Sequence, residues 1–165
     1  MCAKVKKQVK GKILVVDDEP AITATLEAIL EEEGYEVDTA CSGEQAVAHA
    51  AGFKPNLLIT DIIMGAMNGI EAAARISATL PDCRVLFFSG SGTFDKLIRS
   101  APKNLIYSFI RKPMPVPDLL SAIAYIVSTV NTVYDPIDSL DGHSLMQESA
   151  QGWRVAELSP VLANR

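Results

Sequence analysis

Residues 11–20 read GKILVVDDEP, in which four apolar side chains, Ile13–Val16, run directly into Asp17, Asp18 and Glu19. A short unbroken apolar run suits a strand buried on both faces of a parallel sheet. Three adjacent carboxylates cannot share that burial without a large desolvation cost. The strand must therefore end where they begin, at an edge open to solvent.

The pattern repeats along the chain. Leu57–Ile59 and Val85–Phe88 are equally compact apolar segments, while Tyr35–Ala40 and Leu105–Ile110 are more mixed and suit edge strands. Helical patterns separate them. In PAITATLEAILEEEG, residues 20–34, Ile22, Leu26, Ile29 and Leu30 form one apolar stripe. Pro20 suits its first turn and Gly34 the left-handed position after its end. A second helix follows Ser42 as N-cap, with Glu44–Ala51 as its body. NGIEAAARISATLP (68–81) gives a third, GTFDKLIRSAP (92–102) a short fourth, and PVPDLLSAIAYIVSTV (115–130) a fifth. The fifth carries Leu119, Ile123, Ile126, Val127 and Val130 on one side.

Five strands alternating with five helices predict an α/β fold, a central five-stranded parallel sheet with helices on both faces. Right-handed crossovers bring the carboxyl ends of the strands to one edge, where such sheets bind their ligands. Asp17 and Asp18 end the first strand, Asp61 the third, Ser89 the fourth and Lys112, before Pro113, the fifth. Each residue alone has a bland explanation in loop or turn chemistry; gathered on one edge they suit phosphoryl transfer. Clustered carboxylates resist ionisation until a hard cation such as Mg2+ relieves their repulsion. One carboxylate can then act as nucleophile and form an acyl phosphate, while the lysine and hydroxyl neutralise the transferring oxygens.

The elements ILVVDDEP, LLITDIIMGAMNGIEAAARI, VLFFSG and FIRKP resemble those of a response-regulator receiver domain of the two-component type, in the CheY-like superfamily. The resemblance covers about Gly11–Val130 and implies a flavodoxin-like (βα)5 fold with strand order 2-1-3-4-5. It implies Asp61 as phosphoacceptor, and Asp17, Asp18, Asp61 and the Ile63 backbone carbonyl as Mg2+ ligands. Lys112 and Ser89 would contact the phosphoryl group, Ser89 and Phe109 would be the switch pair, and Pro113 would follow a cis bond. The donor would be a sensor histidine kinase or phosphotransfer protein. The face of the fourth helix, fifth strand and fifth helix would then change for an unidentified downstream protein. Relay of the phosphate onward, or a place as receiver fragment of a larger regulator, are the alternatives. A homodimer is left open.

The sequence departs from the family pattern in two places. Gly65 stands where proline is usual after the acceptor-loop methionine, which predicts a more mobile loop. Ile63 and Ser91 occupy positions expected to govern water attack on the acyl phosphate, and Ile63 has no group to orient a water, which predicts slow self-dephosphorylation.

Composition narrows the class. Of 165 residues 48% are apolar and 21% charged, enough for one folded domain. A net charge of −5 argues against direct DNA binding. Its exception is a basic arm, residues 1–10, with Lys12 just beyond, expected to be a flexible solubilising segment. Residues 11–130 form the expected receiver domain. The tail, residues 131–165, is loop-rich and expected to be disordered or loosely docked, with Trp153 as a candidate anchor. It is too short for a usual effector domain, so a stand-alone receiver is expected.

Cys2, Cys41 and Cys83, with His49 and His143, show no metal or disulfide spacing, so free thiols are expected. No apolar run approaches the roughly 18 residues that span a bilayer. A cytoplasmic protein without membrane contact is expected. Two rivals fit poorly. A flavin binder needs a phosphate loop where Asp17–Glu19 would repel an anion, and an aspartyl phosphatase usually carries D-x-D on its first strand. A phosphoacceptor rather than an enzyme is the expectation.

Overall fold

A computed structural model describes residues 9–90, 99, 101–102, 105–128, 146–149 and 152–155. The chain divides into two units, residues 1–132 and 133–165. In the first unit the strands are β1 (Lys12–Val16), β2 (Glu36–Ala40), β3 (Leu57–Thr60), β4 (Arg84–Ser89) and β5 (Tyr107–Arg111). The helices are α1 (Pro20–Glu32), α2 (Gly43–Phe53), α3 (Gly69–Thr79) and α4 (Val116–Ser128). α4 is the fifth of the helices expected from the sequence. The expected fourth, apart from Arg99, Ala101 and Pro102, lies outside the described residues, as do Ser91, Cys2, Val130 and His143.

All five strands run parallel in the order β2-β1-β3-β4-β5, which puts the two mixed-composition segments at the edges as expected. Leu14, Val16, Leu58, Val85 and Phe87 form one buried cluster with Ala46 and Ala50 of α2 and Ala73 and Ile76 of α3. Ile13, Val15, Leu57, Ile59 and Leu86, one residue out of phase, are buried as well. Period-two alternation therefore buries both faces of the central strands, which is why they read as continuous apolar runs. Small alanines on α2 and α3 let those helices lie close together.

Local signals set the helix limits. Pro20 opens α1, and Gly34 adopts φ 96° two residues beyond its end, a conformation that an L side chain resists. The Ser42 hydroxyl accepts from the Gln45 N–H and the Asn68 side chain from the Glu71 N–H, capping α2 and α3. The stripe on α1 is shifted from the expected one. Thr23, Leu26 and Leu30 are its buried members, and the Thr23 hydroxyl donates to the Pro20 carbonyl. Lys54 ends α2 in the left-handed region at φ 54°.

In the second unit Met146–Ser149 (β6) and Gly152–Val155 (β7) pair antiparallel, with Met146 opposite Val155. Nothing in the tail's residue periodicity announces that hairpin. Of the thiols, Cys83 is buried and pushed up to about 12 by desolvation, with the Leu58 backbone pulling slightly the other way, whereas Cys41 is exposed.

Lys54→Gly should relieve the left-handed strain at the end of α2. The expected gain is roughly 0.5–1 kcal/mol after glycine's own entropy cost, read as a rise in the denaturation midpoint at unchanged denaturant slope.

Candidate phosphoryl-acceptor site

Parallel pairing places the carboxyl ends of β1, β3, β4 and β5 side by side, and the backbone ladder continues one residue past three of the strands. The Asp17 N–H donates to the Ala40 carbonyl (3.2 Å), the Asp61 N–H to the Val16 carbonyl (3.0 Å) and the Lys112 N–H to the Ser89 carbonyl (3.1 Å). Each functional residue is thus anchored by main-chain bonds before its side chain does anything.

The side chains converge. The Lys112 ammonium, from the end of β5, donates to Asp17 Oδ2 at 2.5 Å and to Asp61 Oδ2 at 3.1 Å. Ser89, buried at the end of β4, donates its hydroxyl to Asp61 Oδ1 at 2.6 Å. Oδ1 also accepts from the backbone N–H groups of Ile62 (2.5 Å) and Ile63 (3.3 Å). The two carboxylate oxygens of Asp61 are therefore unequal, with three donors on Oδ1 and the ammonium on Oδ2. The Lys112–Pro113 bond is cis. Phe109 is half-buried and packs against the core cluster.

Burial alone would lower the Lys112 pKa, but its hydrogen bond to Asp17 and the charges of Asp61 and Asp17 outweigh that, and its pKa lies above the ordinary lysine value. A raised lysine pKa adds stability that is complete below about pH 10.4 and is lost as pH climbs through the raised value. The ammonium is therefore charged at neutral pH. Asp17 also shapes the backbone beyond β1. Its Oδ1 accepts from the Glu19 N–H at 2.9 Å, holding the turn into α1, whose N-cap residue Glu19 makes no side-chain cap.

Asp18, expected among the metal ligands, stands outside this cluster. It is exposed, and among the described residues no three His, Cys, Asp or Glu side chains form a group able to hold a metal ion. Asp17 is buried where the chain leaves β1, whereas Asp18 lies in a bend and is exposed. Asp17 and Asp61 remain, and two carboxylates with waters and phosphate oxygens are a donor set that suits Mg2+. Lys112 contacts both carboxylates, so cation and ammonium would compete for them. Ile63 is 53% exposed in the loop after Asp61. Gly65 is exposed too, outside the left-handed region, with room for a Cβ.

Two residues of this site were not singled out by motif. A Cβ on Gly69 would lie 1.8 Å from the Asp61 carbonyl oxygen, so the start of α3 reaches the acceptor loop only because that atom is missing. The Gly69 N–H donates to the Ile62 carbonyl at 2.9 Å. Thr60, fully buried, donates its hydroxyl to the same Asp61 carbonyl at 2.8 Å. Only knowledge of what packs there marks either residue. Gly69→Ala should cost about 2–3 kcal/mol of stability through overpacking, measured by chemical denaturation, whereas Gly65→Ala should not destabilise.

Comparison with known proteins shows the family. The response regulator receiver domain family matches residues 13–124. The chain is 39% identical over 103 residues to the nitrogen assimilation regulatory protein NtrX of Azorhizobium caulinodans, a match covering 61% of this chain and 22% of that protein. It is 31% identical over 134 residues to protein PilG of Pseudomonas aeruginosa, covering 78% of this chain and 93% of PilG. The chain thus spans about a fifth of the length of the NtrX relative. Among solved structures it resembles the response regulator TrrA of Thermotoga maritima in complex with Mg2+-BeF. The TM-score is 0.62 at 30% identity, over 70% of this chain and 97% of that one. The chain belongs to the response regulator receiver domain family, and residues 13–124 are a receiver domain of the two-component type.

Proposed function

We propose that Asp61 accepts a phosphoryl group from a phosphohistidine on a sensor kinase or phosphotransfer protein, and that the chain acts as a phosphoacceptor rather than as a turnover enzyme. The observation that carries this reading is the grip on one carboxylate by groups from two other strands, the Ser89 hydroxyl at 2.6 Å and the Lys112 ammonium at 3.1 Å. Oδ1 is occupied by three donors, which leaves Oδ2 as the attacking oxygen. It forms the new O–P bond while the bond from phosphorus to the donor nitrogen breaks, and the nitrogen keeps the electron pair. Lys112 is already beside Oδ2, where it can follow the incoming phosphoryl oxygens as negative charge gathers.

Asp17 and Asp61 would hold a Mg2+ ion, with the Ile63 carbonyl as a further ligand implied by the family. Asp18 would join them by turning inward. When bound, the ion supplies positive charge against the phosphoryl oxygens.

An aspartyl phosphate adds negative charge and strong acceptor oxygens at one point. Ser89 can then exchange its bond to the carboxylate for one to the phosphoryl group. Phe109, half-buried beside the core, is the aromatic that would repack in response. Ile106, Val116 and Tyr125 are large exposed apolar residues next to β5 or on α4, and suit a face whose presentation to a downstream protein changes. A cytoplasmic setting fits the kinase donor, and no helix among the described residues is long and apolar enough to cross a membrane.

Incubation with acetyl phosphate and Mg2+, followed by intact-mass measurement, tests this. The native chain should gain one phosphoryl group, Asp61→Asn none, and chelation of the metal should suppress the gain. Sustained turnover of phosphomonoesters would contradict the phosphoacceptor reading.

A further inference from the structure

Thr60 is a polar residue at the end of a strand whose other members, Leu57, Leu58 and Ile59, are apolar and buried. Its hydroxyl is as buried as they are, and it spends its proton on the carbonyl of the next residue, Asp61. The N–H at the other end of that same peptide unit, on Ile62, donates to Asp61 Oδ1. A peptide is a rigid plane, so fixing its carbonyl fixes the direction of its N–H. Gly69 closes the remaining side. A Cβ there would sit 1.8 Å from the Asp61 carbonyl oxygen and 2.8 Å from the Thr60 hydroxyl, so hydroxyl, carbonyl and glycine occupy one tightly filled spot.

We propose that Thr60 is a positioning residue for phosphoryl acceptance. By holding the Asp61 carbonyl it aims the Ile62 N–H at Oδ1, which turns the carboxylate so that Oδ2 faces Lys112 and the incoming phosphorus. The inference rests on Asp61 being the acceptor. Thr60 never touches the donor; it acts only through the orientation of the 61–62 peptide. The chemical step is unchanged: with acetyl phosphate, Oδ2 bonds to phosphorus, the P–O bond to the acetyl group breaks, and acetate leaves with the electron pair.

Thr60→Val keeps the side-chain shape and removes the hydroxyl, whereas Thr60→Ser keeps the hydroxyl. At saturating acetyl phosphate and Mg2+, Thr60→Val should be phosphorylated roughly ten- to a hundredfold more slowly than native. Its half-saturating donor concentration should be unchanged, and Thr60→Ser should restore most of the rate. The amide proton resonance of Ile62 should move in Thr60→Val and stay near its native position in Thr60→Ser, a signature that loss of stability alone does not produce. If Thr60→Val folds poorly by circular dichroism, Thr60→Ala is read in the same way. A native rate in the hydroxyl-free variant, or an unmoved Ile62 resonance, overturns the inference while leaving Asp61 as acceptor. If the native chain takes up no phosphoryl group, the acceptor reading falls and this inference falls with it.

Discussion

The site depends on a single ammonium held between two carboxylates. Asp17 and Asp61 come from adjacent strands and are brought close enough for one lysine nitrogen to contact both. Two carboxylates so near one another, Asp17 almost fully buried, would repel without a cation between them. Lys112 supplies the charge from β5, on the far edge of the sheet. The bridge therefore ties the ends of β1, β3 and β5 together. Breaking it by removing one partner would leave a buried charge uncompensated, which costs more than the bridge itself contributes.

The proposed function draws on the same contacts. Ser89 and Lys112, which hold Asp61 here, are a hydroxyl and an ammonium of the kind that a transferring phosphoryl group would need. Asp17 and Asp61 would hold a divalent cation, which would supply positive charge there beside Lys112. The surrounding backbone is what makes Asp61 asymmetric. Its own loop supplies two N–H groups to Oδ1, and β4 supplies a hydroxyl to the same atom. A carboxylate with three donors on one oxygen and a single ammonium on the other has a direction, which a symmetric, solvated aspartate lacks.

Much of this was legible in the residues. The apolar runs marked the strands because burial on both faces leaves no polar alternation to confuse them. The carboxylates, hydroxyl and lysine stood out because each interrupts or follows such a run. The exposure of Asp18 was not legible. Nothing in the dipeptide Asp17–Asp18 says which of the two is buried, since that depends on how the chain leaves β1 toward α1. Thr60 and Gly69 were equally silent. A threonine at a strand end and a glycine opening a helix are common in any fold, and their contacts form only where α3 closes on the loop after Asp61. In the hairpin of Met146–Ser149 and Gly152–Val155 only Trp153, Arg154 and Val155 alternate, too short a run to announce two strands.

Residue order alone carried the succession of strands and helices, the edge at which their polar ends gather, and the chemical types assembled there, because those follow from local burial and from chain connectivity. Which carboxylates meet, how the donors divide between the two oxygens of Asp61, and why residue 69 must lack a side chain emerged only from the packed molecule. Those are matters of a few tenths of an ångström between segments far apart in the chain, and periodicity carries no information at that scale.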